Sequence, residues 1–130
     1  MENEYVEAPN KKYVHKGWGY EEWLCNNDLY CGKRLHFWKN KRCSWHYHLK
    51  KDETFWVTSG RILVYYSLDD CMTETGFNIK LADRIELDVG DTFHVAPSMR
   101  HMIVGLVESD LVEFSTRHYE DDSYRVQKGD

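Results

Sequence analysis

No run of apolar residues in this chain approaches the ~18 that a membrane-crossing helix needs, and the opening MENEYVEAPNKK holds no hydrophobic core of a secretory signal. The expectation is a soluble, cytoplasmic protein with no membrane partner. Basic charge is also short. Seventeen Lys and Arg face 22 Asp and Glu, for a formal charge of −5. That leaves no broad cationic face for a polyanion, so nucleic acid is set aside as a partner. The basic runs Lys11-Lys12, Lys39 to Arg42 and Lys50-Lys51 read as solvated turns. Cys25, Cys31, Cys43 and Cys71 show no C-x2-C pairing, which argues for free, mostly buried thiols over a disulfide framework. Internal repeats, low-complexity tracts and any long apolar pattern at the 3.6-residue helical period are missing too.

What remains is a chain of 130 residues, enough for one domain with a real core, and rich in aromatics at 15%. Turn signals recur at Asn26-Asn27-Asp28, Lys39-Asn40-Lys41, Ser59-Gly60, Asp69-Asp70 and Val89-Gly90-Asp91. Between them lie short β-branched or aromatic runs: Leu35 to Trp38, Thr54 to Thr58, Arg61 to Tyr66, Asp91 to Val95, Met102 to Val107 and Leu111 to Ser115. Many short strands without helices predict an all-β sandwich or barrel. Gly19 to Leu24 reads as a brief helical turn, and residues 67–85 as an irregular loop with one short strand near Asn78 to Leu81. Residues 1–12 read as a loose arm and 13–130 as the single domain. Trp18, Trp38, Trp45, Phe55, Trp56 and Phe93 are expected to form the core and barrel lining.

The stretch WHYHLKKDE carries the chemistry. Strand side chains alternate between faces, so His46 and His48 point the same way, and two imidazoles on one face can share an ion. Glu53 opens the next run, where a hairpin returns it beside them, and Gly60 completes H-x-H-x4-E-x6-G. A second element, Gly90-Asp91 followed by APSMRH, supplies His101 as a fourth ligand. Three imidazoles and one carboxylate suit one divalent transition metal, Zn, Mn, Fe, Ni or Co.

These two elements resemble the paired motifs of the cupins, G-x5-H-x-H-x3,4-E-x6-G and G-x5-P-x-G-x2-H-x3-N. His46, His48, Glu53 and Gly60 match the first, with Asn40 in place of its leading Gly. Gly90 and His101 match the second, with Ala96, Ser98 and Gly105 in place of its Pro, inner Gly and Asn. The resemblance implies a double-stranded β-helix, a jelly-roll barrel, with one metal inside. The 29 residues between Gly60 and Gly90 exceed a compact spacer and imply an insertion over the barrel. In addition, Lys16-Gly17-Trp18-Gly19-Tyr20-Glu21 and Glu120-Asp121-Asp122-Ser123-Tyr124-Arg125 are similar to the opening and ending of cupins related to the type II mannose-6-phosphate isomerase domain. Gly17 replaces a usual Pro, and Ser123-Tyr124 an aliphatic pair.

Glu113 is an acid inside the apolar strand LVEFS. Held in the cavity it would be a general base, and otherwise it faces solvent. His94, on the strand leading to His101, is a proton-transfer candidate beside the plainer reading of a wall histidine. Arg125, by the resemblance, and Lys16 and Arg100 are candidates to hold an anionic substrate group. His15, His36 and His118 read as structural. The expected function is a metal-dependent sugar or sugar-phosphate isomerase or epimerase acting through an enediolate on a small-molecule substrate. The alternatives are an Fe-dependent oxygenase and a non-catalytic metal-dependent sugar-binding module. The resemblance also implies a homodimer.

Overall fold

The computed structural model describes residues 12–130. The arm expected over 1–12 therefore lies outside the described residues except for Lys12, which already opens strand β1 (Lys12–Lys16). β2 (Gly19–Asn26), β3 (Cys31–Phe37), β4 (Trp45–Tyr47), β5 (Glu53–Ser59) and β6 (Arg61–Ser67) follow. Next come the two-residue strands β7 (Met72–Thr73) and β8 (Gly76–Phe77), and a single 3-10 turn at Ile79–Leu81. β9 (Asp83–Asp88), β10 (Thr92–Val95), β11 (Arg100–Gly105), β12 (Ser109–Ser115) and β13 (Tyr124–Gln127) complete the chain.

Two antiparallel sheets form the barrel, one ordered β1-β2-β3-β12-β5-β10 and the other β13-β4-β11-β6-β9. Inward residues change character along the strands. Leu111 pairs in register with Leu35 and Val57, and these lie in the apolar core with Phe37, Ile62, Val64 and Ile103. Two residues further along β12, Glu113 pairs with Lys33 and Phe55. One step beyond, Ser115 pairs with Glu53. The space between the sheets is thus apolar toward one end and ionic toward the other. Each fully buried aliphatic or aromatic side chain at the apolar end contributes roughly 1.5–3 kcal/mol, which is the stabilisation that can carry the ionic end.

Several expectations change here. Gly19–Asn26 is a strand, paired with β1 and β3, where a helical turn was expected. The short strands of the 67–85 loop fall at 72–73 and 76–77, while Ile79–Leu81 is the 3-10 turn. Because Trp45 alternates with the inward His46, it points outward, and there Phe77, Ile79, Cys71 and Met102 cover it. Its indole Nε1 donates to the Asp70 carbonyl at 2.8 Å. The insertion therefore packs on the outside of the β4-β11-β6 layer, not over the barrel. Trp38 and Trp56 are exposed, at 43% and 41%, rather than lining the core.

Two of the departures from the cupin motifs, Asn40 and Ser98, fall on backbone that glycine would normally occupy. Asn40 has φ +64° and Ser98 φ +73°, both in the left-handed region. The turn geometry at these two positions is kept without glycine.

Candidate metal centre

His46 on β4 and His101 on β11 are register partners in adjoining antiparallel strands, so their side chains rise side by side. His48 follows where the chain leaves β4, and Glu53 is the first residue of β5. The ligand nitrogens of the three histidines lie within 4.8 Å of one another, and all three rings are at least half-buried.

Backbone carbonyls fix which nitrogen faces the centre. His46 Nδ1 donates to the Ser44 carbonyl at 2.8 Å, His48 Nδ1 to that of Asp122 at 2.6 Å, and His101 Nδ1 to that of Met99 at 3.0 Å. A carbonyl only accepts, so each ring carries its proton on Nδ1 and turns the Nε2 lone pair inward. Burial, followed by the neighbouring imidazoles, holds His46 well below its ordinary value, and burial does the same for His48. Neutral imidazole is the ligand form.

Glu53 faces these lone pairs. Its Oε1 lies 3.1 Å from His101 Nε2, and Oε2 lies 3.9 Å from His48 Nε2. Oε2 has no hydrogen-bond partner among the described residues, although it is fully buried. Burial alone would raise this carboxyl. The neighbouring His101, with Lys51 and His48, outweighs it and holds Glu53 below the ordinary carboxylate range. Four converging acceptors, one of them an unsatisfied buried oxygen, form a cradle for a cation. The residues present fit a divalent transition metal.

Beside the cradle is an ionic layer. Lys51, only 3% exposed, lies 2.7 Å from Glu113 Oε2 and 3.4 Å from Glu53 Oε2. Lys51 was expected in a solvated turn, and only its neighbour Lys50 is exposed. Glu113 does point inward, and Ser115 Oγ also donates to its Oε2 at 3.1 Å. Burial and then Glu53 raise the Glu113 carboxyl above its ordinary value, against Lys51 and Lys33. Burial would lower Lys51, but Glu113 and Glu53 hold it up.

A cavity of about 500 Å³ joins the triad, Glu53, Lys51 and Glu113 to a mouth lined by Lys16 and Arg125. That volume falls in the range of small-molecule sites. Arg125 is the register partner of His46, which explains its place. Neither the Lys16 ammonium nor the Arg125 guanidinium has a hydrogen-bond or ion-pair partner among the described residues.

Two candidates lie elsewhere. His94 stands opposite Thr54 on the outer face, is 61% exposed at its side chain, and bonds Asp52 at 2.5 Å. Arg100 precedes the inward His101 and so faces outward. There it donates to Asp70 Oδ1 and the Ser98 carbonyl, both at 2.7 Å, and covers the Tyr47 ring. Strand parity removes both from the cavity. One residue the sequence reading passed over is Asp122, whose carboxylate accepts the backbone N–H groups of Leu49, Lys50 and Lys51 while its carbonyl orients His48. The E-D-D segment was its signal.

No family model and no curated protein matches the sequence. Solved structures do match the fold. KdgF from Halomonas sp. superposes with a TM-score of 0.68 at 14% identity, over 85% of this chain and 89% of that one. An oxalate decarboxylase variant from Bacillus subtilis gives 0.72 at 13% identity, over 90% of this chain and 30% of that one. CapF from Staphylococcus aureus gives 0.68 at 14%, over 90% and 34%. The chain thus spans about a third of the latter two. All three are cupin-fold proteins, and this chain has the cupin fold, a double-stranded β-helix with a histidine triad inside. Among the described residues no helix is long and apolar enough to cross a membrane.

Proposed function

We propose that the chain is a metal-dependent isomerase or epimerase of a sugar or sugar phosphate. The observation that carries this reading is Glu113, a buried carboxylate in the same cavity as the histidine triad. When bound, a divalent ion supplies a Lewis acid toward adjacent carbonyl and hydroxyl oxygens of a sugar. Glu113 takes the proton from the hydroxyl-bearing carbon and returns it to the neighbouring carbonyl carbon, while the hydroxyl proton passes to the former carbonyl oxygen. Its raised carboxyl suits a base that must also give the proton back. Both Lys51 and Ser115 engage Oε2, so Oε1 is the oxygen left for the proton.

Lys16 and Arg125 hold the anionic end of the substrate at the mouth. They belong to the two segments similar to the type II mannose-6-phosphate isomerase group, and both segments contribute to the cavity wall.

The test is a panel of aldoses, ketoses and their phosphates assayed in deuterated water with the metal content measured. Isomer formation with deuterium entering the product is expected, and Glu113→Gln should keep its metal while losing about 10²-fold or more in turnover. Full activity in Glu113→Gln removes that residue from the mechanism. Oxygen consumption in place of isomer formation overturns the isomerase reading.

A further inference from the structure

His118 lies outside the metal shell and outside the proton-transfer step, yet it lines the cavity and is held from several sides. Both ends of the Asn26 side chain grip its backbone: Oδ1 accepts the His118 N–H at 2.9 Å, and Nδ2 donates to its carbonyl at 3.1 Å. The ring meets Trp23 edge-on, with centroids 4.9 Å apart. Two ammonium groups converge on a single ring nitrogen, with Lys33 Nζ 3.3 Å and Lys51 Nζ 3.2 Å from Nδ1.

An ammonium has donors and no acceptor. Nδ1 must therefore present a lone pair, and the ring proton sits on Nε2. This is opposite to the three metal-facing histidines, whose protons sit on Nδ1. The nearest carboxylate oxygen to Nε2, on Glu120, is 3.9 Å away, beyond hydrogen-bond range. Both lysines are buried and held by other partners as well, Lys51 by Glu113 and Glu53 and Lys33 by the Trp23 ring, so the two donors facing Nδ1 are fixed in place.

We propose that His118 is a fixed hydrogen-bond donor of the cavity, presenting Nε2–H to an anionic oxygen of the bound substrate, with Lys33 and Lys51 locking the ring in that tautomer. The proposal rests on the reading of this cavity as a substrate site but not on the isomerase chemistry. Burial, then Lys33 and Lys51, push the imidazole down to about 3, so it stays neutral and keeps this donor throughout the physiological range. A donor held in place before the ligand arrives need not reorganise when charge comes to it.

The experiment is side-chain ¹⁵N NMR of histidine-labelled protein loaded with diamagnetic Zn²⁺. His118 is expected as the neutral Nε2–H tautomer from pH 5 to 8, with or without the metal. Inorganic phosphate and acetate are then titrated separately. A saturable shift of the His118 Nε2 resonance with one of them supports the proposal and says whether the oxygen is that of a phosphate or a carboxylate. His118→Phe should weaken that binding at least tenfold, and His118→Gln, which keeps one acceptor and one donor, should restore it to within about threefold. An Nδ1–H or imidazolium state in wild type, or no response to either anion, overturns the proposal. Failure of Zn²⁺ to bind would count against the metal reading alone, since the tautomer is read without it.

Discussion

Lys51 Nζ stands between Glu113 and Glu53, 2.7 Å from one carboxylate and 3.4 Å from the other, and so joins the candidate base to a candidate metal ligand. Removing the ammonium leaves two buried carboxylates facing each other. Lys51→Met is therefore expected to lose about 3–5 kcal/mol of stability, the cost of stranding a buried charge. Adding Glu113→Gln removes one of the stranded charges, and the double variant should recover more than 1 kcal/mol of that loss. Urea denaturation of the four proteins in the cycle measures it. Strict additivity would show that the pair is not coupled.

Acid should unfold the metal-free protein early. His46, His48 and His118 are held below their ordinary values, so below about pH 6.5 the unfolded chain takes up protons that the folded chain refuses. Each then subtracts up to about 1.4 kcal/mol per pH unit, and the loss continues until the folded rings titrate. Glu113, being raised, works in the opposite direction above the ordinary carboxylate range, as one group against three. The three rings together subtract about 3 kcal/mol between pH 6.5 and 5.5, Glu113 offsets part of this, and the net expectation is a fall of about 2 kcal/mol, measured by urea titration. A flat profile would mean that the rings are not buried neutral.

The clustering of His46, His48, His101 and Glu53 was legible in the sequence because their spacing reflects two local rules, strand alternation and the short turn from His48 to Glu53. The same alternation places His94 and Arg100 outside the cavity: each neighbours an inward residue, Val95 and His101, and so faces outward. Lys51 could not be read locally. Beside the exposed Lys50 it looks like a solvated pair, and its burial depends on Glu113 from a strand far along the chain. β2 was misread because GYEEWL is compatible with both periods, and only pairing with β1 and β3 decides. β9 was missed because DRIELD is a charged edge strand with Leu87 as its single buried residue.

Gly60 and Gly90 both have positive φ but should differ sharply on substitution. A Cβ at Gly60 would lie 2.3 Å from Ser109 Oγ and 2.5 Å from the Glu108 carbonyl, whereas at Gly90 nothing lies within 4 Å. Gly90→Ala should cost only the backbone strain, about 1 kcal/mol. Gly60→Ala must also displace Ser109, whose hydroxyl accepts from Arg61 N–H at 2.9 Å, and should cost about 2–4 kcal/mol. Thermal unfolding of the two variants compares them, and equal shifts would contradict the steric argument.

Asp122 ties the metal centre to the turn that precedes Glu53. Its carboxylate accepts N–H groups from Leu49 at 2.9 Å, Lys50 at 3.1 Å and Lys51 at 3.0 Å, while its carbonyl sets His48 at 2.6 Å. Burial would raise this carboxyl, but the three N–H bonds and His48 lower it, so the charged form is the one the turn requires. Asp122→Ala frees the turn and lets the His48 ring rotate, which should weaken metal affinity about 10–100-fold. His48→Ala should abolish stoichiometric metal, and Lys50→Ala, at an exposed side chain, should leave affinity unchanged. Elemental analysis together with competition against a chelator of known affinity separates the three outcomes. Wild-type affinity in Asp122→Ala would mean that the carboxylate's grip on the turn is not needed to hold His48, whose backbone carbonyl partner the variant keeps.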